Sequence, residues 1–321
     1  MQPHCGKRRS IADSPYVNLG ELTLIGILFM HLISSPMTQG TQFKFSTVPG
    51  FFLQDEPDTD PATFDYVESN FGLILHGEAP LHTQWQKFIQ SINELNNLGG
   101  ESVQYKVLFL GRHGEGVHNV AERRYGTAAW DAYWSLLDGD EYGSWVDARL
   151  TDIGRSQART AFGAWKRQFT EGIPAPQSYY VSPLHRTCET AQITFKGLDM
   201  PHTDPFRPMI KELLRETIGE HTCDLRSKAS EIRAEFPVYQ FEPGFSEDDP
   251  LWDAHRRETN EERNVRLAKL LDDIFATDEN IILSLTAHSG AITSILEVIG
   301  HRAFPLQTGA VIPVVVQAER R

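Results

Sequence analysis

The chain has 321 residues, 40% of them hydrophobic, and a formal net charge of −13 at neutral pH. That length permits a substantial core, in one large domain or two smaller ones. The acidic balance argues against nucleic acid or an anionic membrane surface as a partner, so phosphate binding would need a local cluster of Arg and His.

Near the start, Lys7-Arg8-Arg9 precede an apolar stretch from Leu22 to Ile33. It is short for a bilayer span but fits the hydrophobic region of a signal peptide. Asp13, Glu21 and Pro36 oppose a signal, as does the lack of any Asn-x-Ser/Thr sequon, and Met37 offers another start. We therefore expect an N-terminal extension over 1–45, a domain over 46–321 and a cytoplasmic protein. Secretion or membrane tethering is the alternative if 22–33 is a true signal or anchor. Cys5, Cys188 and Cys223 are too few and scattered for a disulfide framework, which suits a reducing compartment.

Phe51-Phe52 and Phe71 to Leu75 read as pieces packed over the domain, and Asp55 to Pro61 as a loop. Asp58 and Asp60 make a D-x-D pair, but the neighbouring prolines favour a turn over a metal site. Trp85 to Leu98 reads as a helix ended by Gly99-Gly100. The apolar run Val107 to Leu110 reads as a buried strand. Gly111 and Gly114 allow a sharp turn there, which puts Arg112 and His113 at the sheet's carboxyl edge, where open α/β folds gather ligands. Asn119 follows six residues after His113. An imidazole there can act as a nucleophile, and a guanidinium beside it can fork onto phosphate oxygens.

Thr151 reads as the N-cap of a helix whose Ile153, Ala158, Ala161, Phe162, Trp165 and Phe169 recur at helical spacing. Tyr179 to Val181 is a second strand, followed by a turn and a helix over His185–Phe195 that carries Arg186 in its first turn. Leu214 to Gly219 sets Glu216 beside a short apolar piece. Residues 219–257 lack clear periodicity, which suggests a lid insertion near a site. Glu258 to Phe275 is a helix, Ile281 to Leu285 a third strand ending toward His288, Gly290 to Ile299 a helix and Val311 to Val316 a final buried strand. Strands separated by helices favour the α/β class. Arg112, His113, Asn119, Arg186, Glu216 and His288 thus converge on a site for a phosphoryl group.

At this point the chain resembles the histidine phosphatase, or phosphoglycerate mutase-like, superfamily. The matching pieces are R-H-G-E-x-x-x-N at Arg112, L-T-x-x-G at Leu150, S-P-L-x-R-T-x-E-T-A at Ser182, L-x-E ending at Glu216, and A-H-S-G at Ala287. Tyr125 to Trp145, Arg215 to Arg226 and Glu247 to Thr259 resemble its fungal phosphomutase-like branch. The resemblance runs in order over about 48–316. It implies a three-layer α/β/α sandwich with a mostly parallel sheet and helices on both faces. It also implies a phosphatase acting on small phosphorylated substrates through a phosphohistidine.

In that scheme His113 is the nucleophile, Arg112, Arg186 and Asn119 hold the phosphate, and a protonated His288 neutralises transition-state charge. Glu216 matches the acid–base position, with Glu115 and Glu212 as competitors. No metal or cofactor is required, and neither a C-x-x-C pair, an H-E-x-x-H motif nor a Walker-type loop occurs.

Other residues carry blander expectations. His118 reads as an exposed turn histidine, and His221 with Cys223 as two ligands without partners, so structural or pocket residues rather than a metal site. Trp130, Trp134 and Trp145 read as core or lid packing, Asp248-Asp249 as a solvated face, and Arg215, Arg226, Arg256 and Arg257 as surface cations. Three other functions compete. A phosphoglycerate mutase in the same family usually continues Arg-His-Tyr-Gly after its Glu, where this chain has Thr217-Ile218-Gly219-Glu220. A serine hydrolase would use Ser289, though both flanking glycines of a nucleophile elbow are replaced here, by Ala287 and Ala291. A non-catalytic phospho-ligand binder would typically lack His113.

Overall fold

A computed structural model describes residues 42–200 and 206–321. The apolar stretch 22–33 and the choice between Met1 and Met37 lie outside them. The first described strand, β1 (Phe43–Thr47), belongs to the main sheet, so the last residues of the expected 1–45 extension are part of the fold. Among the described residues, no helix is long and apolar enough to cross a membrane.

The chain continues through α1 (Leu81–Gly99), β2 (Val103–Arg112), α2 (Val117–Tyr125), α3 (Thr127–Ala132) and a small hairpin of β3 (Gly139–Asp140) and β4 (Gly143–Ser144). Next come α4 (Asp152–Thr170), β5 (Ser178–Val181), α5 (His185–Phe195) and β6 (Met209–Ile210). They are followed by α6 (Ala229–Glu235), β7 (Gln240–Phe241), α7 (Asn260–Thr277), β8 (Ile282–Ala287), α8 (Ser289–Val298) and β9 (Val311–Arg320). The sheet order is β1-β9-β2-β8-β5-β6-β7. Pairing is parallel from β2 through β8, β5 and β6 to β7, and only β9 runs against its neighbours.

Alternation along β2 shows why helices cover both faces. Leu108 and Leu110 enter a core with Leu267, Leu271 and Ile274 of α7 and Ile292 and Ile295 of α8. Val107 and Phe109 point the other way, into a core with Trp85 and Phe88 of α1 and Trp165 of α4. Strands buried on both sides carry near-continuous apolar runs, as Val107 to Leu110 of β2 does, and each buried aliphatic side chain contributes about 1.5–3 kcal/mol. The fold is therefore a three-layer α/β/α sandwich.

Local signals act as expected at several ends. Thr151 Oγ1 accepts from the Gly154 N–H at 3.0 Å and caps α4, and Thr259 with Glu262 forms a capping box on α7. Ile153, assigned to the buried face of α4, is exposed because it lies on the first turn's outer side. The 219–257 segment is more than a lid: it supplies α6, and β7 extends the sheet beside β6.

Candidate active site

β2, β8 and β5 lie side by side, with Arg112 level with Ala287 and Val181 level with Thr286. Their carboxyl ends therefore deliver His113, His288 and the start of α5 to one place. His113 is anchored by its own N–H to the Ala287 carbonyl (3.0 Å) and by its carbonyl to Gly309. The turn after it packs directly on the start of α4. A Cβ on Gly114 would meet the Gly154 carbonyl oxygen at 2.3 Å, and one on Gly154 would meet the Glu115 carbonyl oxygen at 2.1 Å. That mutual approach explains the glycine of the L-T-x-x-G segment.

Arg112, His113, Asn119, Arg186 and Glu216 line one cavity of about 380 Å³, together with His118, Glu122, Trp130, Asp131, Thr217, His221, Cys223, Asp224, Arg257, Ser289 and Gly290. His288 packs behind it, its ring centroid 5.1 Å from that of His113.

His113 Nδ1 lies 2.7 Å from the Gly114 carbonyl oxygen. A carbonyl only accepts, so Nδ1 carries the proton and Nε2 of the neutral ring keeps its lone pair. Burial, then Arg186 and Arg112, hold the His113 pKa well below the ordinary histidine range. The ring is therefore neutral at physiological pH.

Arg186 is buried in the first turn of α5. It donates to the Cys223 carbonyl (2.7 Å) and to Asp224 Oδ1 (2.9 Å), both in the 219–257 segment. Arg112 donates to the Leu306 carbonyl at 2.6 Å. Among the described residues, the Nε groups of both arginines are buried without a hydrogen-bond partner, as is His288 Nδ1. Buried donors of this kind favour an oxyanion that accepts from them. Asn119 Oδ1 accepts from the Gly116 N–H at 2.9 Å, which turns the amide's donors away from that contact.

His288 Nε2 is 2.7 Å from Ser182 Oγ. Burial, then Arg186 and His113, press its pKa well below the usual value, so the ring is neutral without an anion beside it rather than already protonated. A phosphate dianion in the cavity would act in the opposite direction. Glu216 Oε2 accepts from the Gly290 N–H (3.0 Å) and Oε1 from the Thr217 N–H (2.9 Å). Its competitors are committed elsewhere. Glu115 pairs with Arg123 and accepts from Thr151, whereas Glu212 pairs with Arg215 and Arg226. Neither lines the cavity.

Several expectations need correction. His118 is buried, not exposed, with its ring centroid 5.6 Å from that of His113, because α2 folds back over the turn. Arg215 and Arg226 are buried, not surface cations. Arg215 pairs with Asp249 at 2.6 Å, so Asp249 is not on a solvated face. Arg257 reaches the cavity and donates to the Gly219 carbonyl at 2.8 Å. His221 and Cys223 do gain a third potential ligand, Asp224, with donor atoms within 4.8 Å of one another. Trp130 and Trp145 pack as expected, and Trp130 also forms cavity wall. Ser182, Thr217, Asp224 and Gly290 were not singled out as site residues; each is adjacent in sequence or space to one that was.

The sequence profile of the Histidine phosphatase superfamily (branch 1) matches residues 108–305. The chain belongs to that superfamily. It is 53% identical over 284 residues to a protein named "Probable phosphoglycerate mutase" from Arthroderma benhamiae, covering 86% of this chain and 85% of that one. It is 36% identical over 278 residues to "Phosphomutase-like protein 3" of Candida albicans, covering 86% and 81%. A probable phosphoglycerate mutase of Saccharomyces cerevisiae is also 36% identical, over 293 residues, covering 84% and 95%.

Proposed function

We propose that the protein is a metal-independent phosphatase that hydrolyses small phosphomonoesters through a phosphohistidine at His113. The observation that carries this reading is the neutral His113 ring with its Nδ1 proton fixed on Gly114, beside two arginines with unpaired buried donors. Arg112, Arg186 and the Asn119 amide hold the non-bridging oxygens, so Nε2 of His113 attacks phosphorus in line as the P–O ester bond breaks. Glu216 protonates the leaving alkoxide. It then takes a proton from the water that cleaves the P–N bond, releasing inorganic phosphate and restoring the imidazole. His288 gains its proton as the dianion binds and offsets charge on the equatorial oxygens.

The relatives' names favour a second reading, a phosphoglycerate mutase. A mutase must hold a second acidic group while its phosphoenzyme waits. Beyond Arg112 and Arg186, the cavity lining contains one further Lys or Arg, Arg257, already engaged with Gly219 and near Asp224. That scarcity supports hydrolysis over retention.

The test is a product balance measured with EDTA present. Phosphatase action releases one phosphate per ester consumed from monophosphates of varied alcohols, whether or not 3-phosphoglycerate is present. Conversion between phosphoglycerate isomers faster than phosphate release would replace this reading with the mutase. Loss of all turnover on chelation would remove metal independence.

A further inference from the structure

The proposed reaction leaves two buried groups on the cavity wall without a task. The His221 side chain is only 8% exposed, yet neither ring nitrogen makes a hydrogen bond among the described residues, and Nε2 lies 4.0 Å from Asp131 Oδ1. The Cys223 thiol is buried and likewise makes none. Asp224 completes the group. Its Oδ1 is taken by Arg186, while Oδ2 has, among the described residues, only the looser approach of Arg257 at 3.5 Å.

The backbone that carries these residues is fixed. Residues 222–224 form a single tight turn, Thr222 Oγ1 donates to the Leu137 carbonyl at 2.6 Å, and Trp252 Nε1 donates to the His221 carbonyl at 2.9 Å. The donor atoms therefore arrive preorganised, as a ligand set requires.

We propose that His221, Cys223 and Asp224 form a second site in this cavity, for a thiophilic divalent cation of the zinc type, whose occupation blocks binding of the substrate's leaving group. One nitrogen, one sulfur and one oxygen donor make the three-ligand set of an open tetrahedral site, with the fourth position facing the cavity. The soft sulfur and the imidazole select against magnesium and calcium, which want oxygen alone. As the metal–sulfur bond forms the S–H bond breaks and its proton leaves to solvent. The thiolate's new charge offsets one of the ion's two, and Asp224 offers Oδ2 as a ligand while its Oδ1 stays paired with Arg186. Glu216, Thr217, Trp130 and Asp131 share the same cavity, so an ion there occupies space that the alcohol portion of an ester needs. This last clause rests on the proposed phosphatase activity; the binding itself does not.

The test titrates the full chain, stripped with chelator and desalted, with Cd2+ while following sulfur-to-cadmium absorption in the ultraviolet. The expected result is a band saturating at about one ion per chain and displaced by Zn2+. Cys223→Ser removes the band and weakens binding about 100-fold or more, and His221→Gln, which leaves the thiol in place, weakens it about 10–100-fold. Cys5→Ser leaves the band intact. In the kinetic arm, Zn2+ raises KM for p-nitrophenyl phosphate in the wild type, and EDTA reverses the effect. The rise is absent from Cys223→Ser when that variant is compared with its own metal-free rate. No band, or a band that survives Cys223→Ser and vanishes in Cys5→Ser, overturns the site. A band without phosphatase turnover leaves the site standing and removes the activity instead.

Discussion

Gly290→Ala tests the role of Glu216 through a residue with no chemistry of its own. Gly290 lies in the first turn of α8, and its N–H holds Glu216 Oε2. A Cβ there would lie 2.1 Å from Glu216 Oε1 and 2.9 Å from the Arg263 guanidinium nitrogen. Ordinary contact needs about 3.4 Å, so the carboxylate must retreat by more than about 1 Å, a misplacement that costs about 100-fold in rate. That factor corresponds to about 2.7 kcal/mol of transition-state stabilisation. Folding should change far less. Alanine gains about 1 kcal/mol of helix propensity over glycine, which offsets part of a crowding cost of about 1–3 kcal/mol. The assay compares kcat/KM for an alkyl phosphate with that for p-nitrophenyl phosphate, whose leaving group needs little protonation. We expect the full loss on the alkyl ester and a much smaller one on the aryl ester, with thermal unfolding nearly unchanged. Equal losses on both esters, or none, would refute Glu216 as the general acid.

Acid should destabilise the fold through its buried histidines. Burial lowers the pKa of His113, His118 and His288, so the unfolded chain binds protons below about pH 6.5 that the folded chain refuses. Stability should therefore fall as pH drops below about 6.5, by up to about 1.4 kcal/mol per pH unit for each histidine, and level off below the folded pKa values. Urea titrations across that range would show it, and a flat profile would contradict the burial argument. Arg215→Ala strands Asp249 and Glu212 beside a buried gap and should cost about 3–5 kcal/mol, lowering Tm by about 10 °C in calorimetry. Ser289→Ala should retain phosphate release within a few-fold, because His288 bonds Ser182 and not Ser289; complete loss would revive a serine nucleophile.

The residues that sequence reasoning located best sit where chain geometry is local. An apolar run followed by glycine or an N-cap marks the end of β2 or the start of α4 without knowledge of the rest of the fold. Neighbouring parallel strands then bring His113, His288 and Arg186 together. What escaped depends on distant partners. Arg215 looks like a surface cation until Asp249, 34 residues further on, closes on it, and Arg226 until Glu212 does. Asp224 gains meaning only when Arg186, far away in sequence, donates to it. His118 looks exposed because nothing local reports that α2 turns back over His113. The 219–257 segment was legible as near the site by its irregularity, while its short strand β7 was too brief for any periodicity to reveal.

The central claim is a phosphohistidine at His113. Brief mixing of the chain with a labelled phosphomonoester and EDTA, followed by an alkaline quench and peptide mapping, tests it most directly. The account predicts acid-labile label on His113, turning over with phosphate release, and neither label nor release in His113→Ala. Phosphate release by His113→Ala at the wild-type rate would contradict it.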